Sequence, residues 1–339
     1  MFIVSKSDIC FIFVQTICLL SLLSNTTLIV TFFTCPLKRV KSYKYFFLLT
    51  AINDISFTVA HGVSMPRVVC MKSYFAVFST PAFGQPVIIN WIAFLTLAVL
   101  LSTTASLVIN SFLYRYYQLC RYQRFHSLPM GKALVLGLLC VGFTSYVCMF
   151  ILVVCSFDKT FMFTIAEVDG LPGFDVNNAV IVGFSLRKSL NVEQIVLTFG
   201  LDIFCLTMTF IAVFCAVNIA VFLRKSTLSK SCLEHYRRLF LLLLAQTVCP
   251  LLLLLLPFML TVVAILAEID TSSLYADALD IMVSLYPLTN SLIVTFFLED
   301  YRNFILTKLR LKKRSLSSPS SVNVLTSHNP THRKLSQVC

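Results

Sequence analysis

Long apolar runs separated by short polar segments recur along the whole chain. An α-helix needs about 20 apolar residues to cross a bilayer, and seven runs meet that length. They cover residues 9–34, 45–65, 86–114, 133–155, 192–223, 239–266 and 278–298. The pattern therefore predicts an all-α membrane protein, folded as a bundle of seven transmembrane helices.

The sixth run, residues 239–266, holds 28 residues without a charge. Pro250 and Pro257 lie inside it. Because proline has no backbone N–H, each removes one helical hydrogen bond, and prolines are a common cause of sharp kinks. We therefore expect a hinged helix, with Pro250 and Pro257 between its two halves and Gln246 on the switching side of the hinge.

Lysine and arginine are distributed unevenly over the connections between the runs. Of the 27 in the chain, 21 follow the first, third, fifth and seventh runs, and 6 lie in the other segments. Cytoplasmic connections carry the excess of these residues, so the N-terminus is predicted outside and the C-terminus in the cytosol. The basic excess then faces anionic lipid and a cytosolic partner rather than nucleic acid.

The segment after the seventh run has two parts of different composition. Residues 299–314 have the pattern of a short basic amphipathic helix lying on the membrane surface. Residues 315–339 are rich in serine, threonine and proline and poor in apolar residues, which is typical of a disordered tail. We expect a membrane domain over 1–314 and a disordered cytosolic tail over 315–339.

Composition supports a membrane protein and excludes a large soluble core. The mean hydropathy is +0.87 and only 12% of residues are charged, about half the fraction usual in soluble domains. No histidine and cysteine cluster has the spacing of a metal site, and we predict neither a metal nor a cofactor.

Most of the thirteen cysteines lie in apolar runs or near basic segments. Those near basic segments, which we assign to the reducing cytosol, are Cys35, Cys120, Cys232 and Cys339. Cys70 and Cys155 are the only plausible extracellular pair, and a disulfide between them is a hypothesis.

Three polar residues in different runs fall at one depth. Asn25, Asp54 and Asn290 each lie about ten residues from the basic end of their run, or about 15 Å at the rise of an α-helix. Intramembrane polar groups usually face one another and mark function, so these three are predicted to form one buried cluster. Two interpretations are open: a structural knot, or a switch that rearranges on activation with a sodium ion or a proton.

A second set of residues falls in the outer halves of the runs and defines a tentative ligand pocket. The set is chosen by depth alone, and its carboxylates would suit a cationic or hydrogen-bonding ligand. Its members are Asn90, Trp91, Phe94, Phe199, Asp202, Met259, Asp280 and Ser284. For Asp202 the alternative is a pairing with a neighbouring hydroxyl.

Arg115 stands at the basic end of the third run between Tyr114 and Tyr116. It has two interpretations, a contact with an acidic partner or an arginine that extends to the surface from an aromatic belt. Arg237 and Arg238 stand at the basic end of the sixth run and would flank the same cytosolic surface.

Several short motifs occur together along the chain. They are Ser42-Tyr43-Lys44-Tyr45, Phe112-Leu113-Tyr114-Arg115-Tyr116, Leu239-Phe240 with Gln246-Thr247 and both prolines, and Tyr286-Pro287 followed by Glu299-Asp300-Tyr301-Arg302. In this order and spacing the chain, over about 20–305, resembles the Str-type family of nematode seven-transmembrane chemoreceptors, related to the Srd, Srh and Srj groups.

The resemblance implies a rhodopsin-like G-protein-coupled receptor for odorants or pheromones. It would act in the plasma membrane, at the sensory cilium of a chemosensory neuron, with a small external ligand and a heterotrimeric G protein as partners. Tyr114, Arg115 and Tyr116 would be the G-protein contact with Arg237 and Arg238. Tyr286 and Pro287 would join the switch.

The chain departs from the family at two points. No acid precedes Arg115, so the usual acid–arginine latch is missing, and Asn290-Ser291 replaces the family's Asp-Pro in the seventh run.

Two other classes of function compete with a receptor. A ligand-gated channel or transporter with seven spans is the alternative, but the chain shows neither the internal repeats nor the paired broken helices of many transporters. An enzyme is not expected, because no nucleophile or acid–base motif lies at a membrane boundary.

Overall fold

The computed structural model describes residues 6–34, 44–71, 74–79, 86–120, 142–143, 146, 180–185, 192–226, 229–267, 269, 271 and 273–308. The helices are α1 (Lys6–Thr34), α2 (Lys44–Ser64), α3 (Val87–Cys120), α4 (Val192–Lys225), α5 (Lys230–Pro250), a π-helical turn (Leu251–Leu255), α6 (Leu256–Leu266), α7 (Ser273–Phe297) and α8 (Glu299–Lys308). The predicted fourth span lies outside the described residues, apart from Gly142, Phe143 and Tyr146. The tail over 315–339 also lies outside them.

Five stretches of the described helices are long and apolar enough to cross a membrane. They are Ile9–Thr34, Tyr45–Ser64, Val87–Cys120, Cys232–Ala264 and Leu274–Phe297. These correspond to the predicted first, second, third, sixth and seventh spans, and α4 covers the fifth. The helical membrane fold expected from the apolar runs is therefore confirmed in its described part.

Two helices extend beyond their predicted spans at the same end of the bundle. The third continues to Cys120, whereas its apolar run ends at 114, and the sixth begins at Lys230 rather than at 239. Ser229 caps this new start, because its hydroxyl accepts a hydrogen bond from the backbone N–H of Cys232 at 3.4 Å. Hydropathy detects only the part of a helix that is apolar enough to lie in hydrocarbon. The helix itself extends to its capped end, which lies beyond that part.

Side chains on the outer faces of the helices are apolar and exposed. Phe33 is 73% exposed and Phe210 is 72% exposed. In water such faces would be a liability, and in a bilayer they contact lipid. The buried faces also hold hydroxyl and amide groups, including those of Ser21, Asn25 and Asn290.

A small antiparallel sheet covers one end of the bundle and was not part of the all-α prediction. Its strands are β1 (Pro66–Met71), β2 (Tyr74–Ser79) and β3 (Val180–Ser185), in the order β1-β2-β3. Strand β1 pairs with β2 from Pro66↔Ser79 to Met71↔Tyr74. We call this end of the bundle the sheet end and the opposite one, where α5 begins and α7 ends, the basic end.

The sheet starts directly after α2. Met65 between them has φ 38°, a left-handed conformation unusual for a residue with a side chain. Its N–H still donates to the carbonyl of His61 at 2.8 Å, which closes the last turn of the helix. This tight exit turns the chain back over α7, against which β1 packs.

Candidate functional site

A buried hydrogen bond joins α2 to α7 at the centre of the bundle. The amide Nδ2 of Asn290 donates to Oδ2 of Asp54 at 2.7 Å, and the two residues are 2% and 1% exposed. Asn25 of α1 lies in the same layer, where its Nδ2 donates to the carbonyl of Pro287 at 3.2 Å. The structure thus brings together the three polar residues that sequence depth selected, and it adds Pro287 as the acceptor that ties α1 to α7.

Hydroxyl groups connect Asn25 to Asp54 without a direct bond between them. Asn25 Nδ2 also donates to the carbonyl of Ser21 at 3.1 Å. The Ser21 and Thr58 hydroxyls lie 3.0 Å apart, and Thr58 Oγ1 donates to the carbonyl of Asp54 at 2.7 Å. We call this connected set (Ser21, Asn25, Asp54, Thr58 and Asn290) the polar layer.

The polar layer is only partly satisfied. Asn25 Oδ1 and Asp54 Oδ1 are buried and have no hydrogen-bond partner among the described residues, and the same holds for Oδ1 of Asn53. The other end of the Asn53 amide donates to Thr104 of α3 at 2.9 Å. Spare acceptors leave room for these donors to be rearranged, and a switch requires a second arrangement.

A cavity opens beside the polar layer on the side of the sixth helix. It is small, with a volume of about 20 Å³, and lies between α2, α3, α5 and α7. Asn53, Gln246, Tyr286 and Asn290 contribute polar groups to its wall. Gln246 and Tyr286, both predicted as parts of the switch, therefore share this cavity with Asn290.

The sixth helix changes from α-helical to π-helical geometry between the two prolines, where the sequence predicted a hinge. The α-helix of α5 ends at Pro250, and the following five leucines, Leu251–Leu255, form a π-helical turn before α6 begins. Within that turn the N–H of Leu256 donates to the carbonyl of Leu251, five residues earlier. Such π-helical insertions are rare and often lie at functional sites. Pro257 follows in the first turn of α6, and its carbonyl accepts from Thr261 Oγ1 at 2.9 Å.

Asp280, predicted to line a ligand pocket, is paired inside the protein. Its Oδ1 lies 3.0 Å from Nε2 of His61 on α2, and both side chains are 1% exposed. The His61 ring also stacks on Phe57 at 6.1 Å between ring centroids. Sequence reasoning missed His61 because it considered only acids and amides, although any ionisable residue inside a span is a signal. The pair means that Asp280 already has a partner that a ligand would have to displace.

Asn90, Trp91 and Phe94 attach α3 to the sheet. Asn90 Nδ2 donates to the carbonyl of Ser79 in β2 at 3.0 Å, and the Ser79 hydroxyl donates to Asn90 Oδ1 at 2.7 Å. Phe94 is buried against Val180 and Val182 of β3, with Trp91 packed at the same contact. These three predicted pocket residues therefore lie directly beneath the sheet.

The remaining predicted pocket residues are dispersed. Met259 is 47% exposed on the outer face of α6, and Ser284 is buried, its hydroxyl donating to the carbonyl of Ile281 at 2.8 Å. Phe199 and Asp202 lie on α4, but their side chains are outside the described residues. The described members have different surroundings, and the pocket stays a prediction.

Arg115 is buried at the basic end rather than extended to the surface. It is 5% exposed, and its Nη1 lies 3.5 Å from Oε1 of Gln118. Tyr114 packs against Phe46 of α2 at 5.4 Å between centroids, and Tyr116 against Phe214 of α4 at 5.9 Å. The predicted contact residues therefore stand in a closed part of the bundle.

Arg238 differs from its exposed neighbour Arg237 because it is held by two acids. Its Nη2 lies 2.7 Å from Oε1 of Glu234, one turn earlier on α5. Its Nη1 pairs with Oε1 of Glu299, the first residue of α8. Arg302 lies 4.0 Å from the same Glu299 oxygen, so the contact is a small charge network.

The cysteine predictions have two outcomes. The disulfide proposed between Cys70 and Cys155 falls on side chains outside the described residues. Cys232, which was assigned to a reducing compartment, is disulfide-bonded in this structure, contrary to that expectation. Among the described residues no group of three histidine, cysteine or acidic side chains is placed to hold a metal ion.

Comparison with known protein families identifies a matching family. The sequence model described as serpentine type 7TM GPCR chemoreceptor Str matches residues 10–306. No curated protein matches the chain.

Proposed function

Since the chain belongs to the Str family of serpentine seven-transmembrane chemoreceptors, we propose that it binds a small external ligand and activates a heterotrimeric G protein. The family match covers residues 10–306, so it extends from α1 almost to the end of α8. The family match supports a multi-pass membrane protein with a chemosensory receptor role. The ligand class, the G protein and a location in the plasma membrane of a sensory cilium belong to the proposal.

The observation that carries the proposal is the polar layer beside a broken helix. Asp54 and Asn290 tie α2 to α7, while the π-helical turn at Leu251–Leu255 interrupts the sixth helix next to the cavity. A buried network with spare acceptors and a locally weakened helix are two elements that can each take a second arrangement. A receptor needs such elements, because a ligand shifts an equilibrium only by binding one state better than the other.

In this mechanism the basic end faces the cytosol, as the distribution of lysine and arginine predicts. A ligand bound towards the sheet end favours a state in which α5 turns outward about the π-helical turn. That movement opens the buried surroundings of Arg115 to the G protein. Arg237 and Arg238 lie at the moving end and contribute positive charge to the same surface.

The test is a ligand screen on the expressed receptor with a polar-layer variant alongside it. Volatile and water-soluble compounds are applied to cells expressing the wild type, and calcium is recorded. Asp54→Asn is expected to reach the cell surface and to lose most of the ligand-evoked signal, because the switch loses its ionisable carboxyl group. Asn218→Ala is the matched control, since Asn218 is half-buried on α4, outside the polar layer, and its side-chain amide donates to the carbonyl of Phe214 in its own helix.

Two results would contradict the proposal. An Asp54→Asn receptor that signals like the wild type would remove the polar layer from the mechanism. Ligand-evoked current in cells without G proteins would indicate a channel instead.

A further inference from the structure

We propose that Arg238 has two mutually exclusive partners: Glu299 of the receptor itself in the closed state, and a carboxylate of the G protein in the open state. The contact with Glu299 is then an autoinhibitory latch that holds the basic end of the sixth helix and covers a docking charge. This proposal rests on the proposed function, because it supposes a G-protein partner.

The first support is the position of the contact. Arg238 lies on α5, the part of the sixth helix on the basic side of the π-helical turn, and Glu299 is the first residue of α8. The pair therefore joins the part of the bundle proposed to move to a helix outside the sixth. Any outward rotation of α5 about the turn separates these two side chains.

The second support is the apolar contact beneath the charges. Leu239, next to Arg238, and Leu242 lie in one buried cluster with Leu298 and Tyr301, which flank Glu299 on either side. Leu242 and Tyr301 are 1% and 0% exposed. Opening the latch also opens this cluster, so the charge pair and the apolar contact separate as a unit.

The third support is the environment of Arg115, at the same end of the bundle. Arg115 is preceded by Tyr114 rather than by an acid, and it is buried beside Gln118. The usual acid–arginine latch is therefore missing from the third helix. Among the described residues, the charge contact between the sixth helix and another helix at this end is the one from Arg238 to Glu299.

Charge balance explains why one guanidinium cannot serve both partners. Glu234 and Glu299 supply two carboxylates to Arg238 in the closed state. A G-protein carboxylate approaching at the same time would meet these two like charges. When α5 moves away from α8, Glu234 stays beside Arg238 on the same helix and orients its guanidinium. The position that Glu299 occupied is then open to an acidic group of the partner.

The experiment compares loss of the acid with loss of the base. Wild type, Glu299→Gln and Arg238→Gln are placed in membranes with a heterotrimeric G protein, and nucleotide exchange is measured without ligand. Glu299→Gln breaks the latch but keeps the docking charge, so exchange is expected to rise about two- to five-fold, the range for an exposed charge network. Arg238→Gln loses both contacts, so its exchange is expected to stay at or below the wild-type level.

Lys230→Gln is the matched control. Lys230 is an exposed cation at the start of the same helix, and no ion pair is formed by it among the described residues. Its neutralisation changes the charge of α5 as Arg238→Gln does, but it leaves the latch intact.

Thermal unfolding of the four combinations at 238 and 299 tests the contact without any signalling. The latch predicts that the two single changes do not add, because the second change has no pair left to break. Additive changes overturn the proposal whatever the exchange assay gives. Equal rises for Arg238→Gln and Glu299→Gln, or no rise for Glu299→Gln, overturn it as well.

The failure of the proposed function has a different signature. In that case no preparation, including Glu299→Gln, stimulates exchange above receptor-free membranes, while the unfolding cycle still shows coupling between 238 and 299. The competition with a G protein is then refuted together with the receptor function, and only the internal contact survives.

Discussion

The bond between Asp54 and Asn290 supports a quantitative prediction about stability. Asn290→Ala removes the donor from Asp54 Oδ2, and Oδ1 of this buried carboxyl already lacks a hydrogen-bond partner among the described residues. A hydrogen bond to a charged group contributes about 1.5–3 kcal/mol. Asp54→Ala leaves the buried amide of Asn290 without its acceptor, at a cost of about 1–3 kcal/mol.

The double variant should cost less than the sum of the two single variants. When both partners are absent, no buried polar group is left unpaired by the loss of the bond. The expected coupling is about 1.5–3 kcal/mol, within the range measured for contacting residues. At roughly 2 °C per kcal/mol for a protein of this size, Asn290→Ala lowers Tm by about 3–6 °C and Asp54→Ala by about 2–6 °C.

Purified receptor in lipid nanodiscs is suitable for this cycle, with unfolding followed by a cysteine-reactive dye. Asn218→Ala serves as the control because its side chain bonds within its own helix, outside the polar layer, and a change away from such buried networks shifts stability by about 0.5 kcal/mol or less. If the Tm shifts of Asp54→Ala and Asn290→Ala simply add, the two side chains do not depend on each other. The polar layer would then be excluded as a coupled element.

Three further predictions concern the hinge, the sheet and the buried ion pair. Pro257→Ala should change the maximal response in a ligand dose–response curve more than the ligand affinity; the reverse result would remove the sixth helix from the centre of the mechanism. Asn90→Ala loses both bonds to Ser79 and should lower Tm by about 2–4 °C, whereas an unchanged Tm would mean that the sheet is held by apolar contacts alone. His61→Ala removes the partner of the buried Asp280 carboxyl; loss of one member of a buried ion pair costs about 3–5 kcal/mol, so surface expression should fall sharply in flow cytometry. Normal expression would show that the fold does not depend on the contact between His61 and Asp280.

Depth along the membrane normal could be read from the sequence, and it selected three of the residues that lie in the polar layer. Asn25, Asp54 and Asn290 each lie about ten residues from the basic end of their runs, and a helix rises by a constant 1.5 Å per residue. Counting residues therefore measured height, and the three residues were found in one buried layer. The prediction of a hinge also rested on local sequence alone, because a proline lacks the backbone N–H of a helical hydrogen bond wherever the helix lies.

Depth alone did not determine which way a side chain faces. Asn90, Met259 and Asp280 were grouped by height, yet Asn90 bonds to Ser79 in the sheet, Met259 faces outward and Asp280 pairs with His61. Rotation about the helix axis decides among these outcomes. It is set by how neighbouring helices pack, so no single run contains the information.

The sheet was missed for a related reason. Strands β1 and β2 are six residues each and pair with each other, but β2 also pairs with β3, more than one hundred residues further along the chain. Val180–Ser185 is a short segment, and its pairing depends on the fold bringing two distant segments side by side. The pairing of Arg238 with Glu299 has the same origin, since the two residues are 61 positions apart.

By itself, the sequence determined what is local: the apolar runs, the heights of buried polar groups, the weak point of the sixth helix and the family motifs. Backbone hydrogen bonds within a span must be satisfied inside the helix, so these features follow from nearby residues. Only the tertiary structure decided the partners: Asp54 with Asn290, His61 with Asp280, Arg238 with Glu299 and β2 with β3. Such contacts depend on the rotation and packing of distant segments, because a helix or strand meets its neighbour through one face.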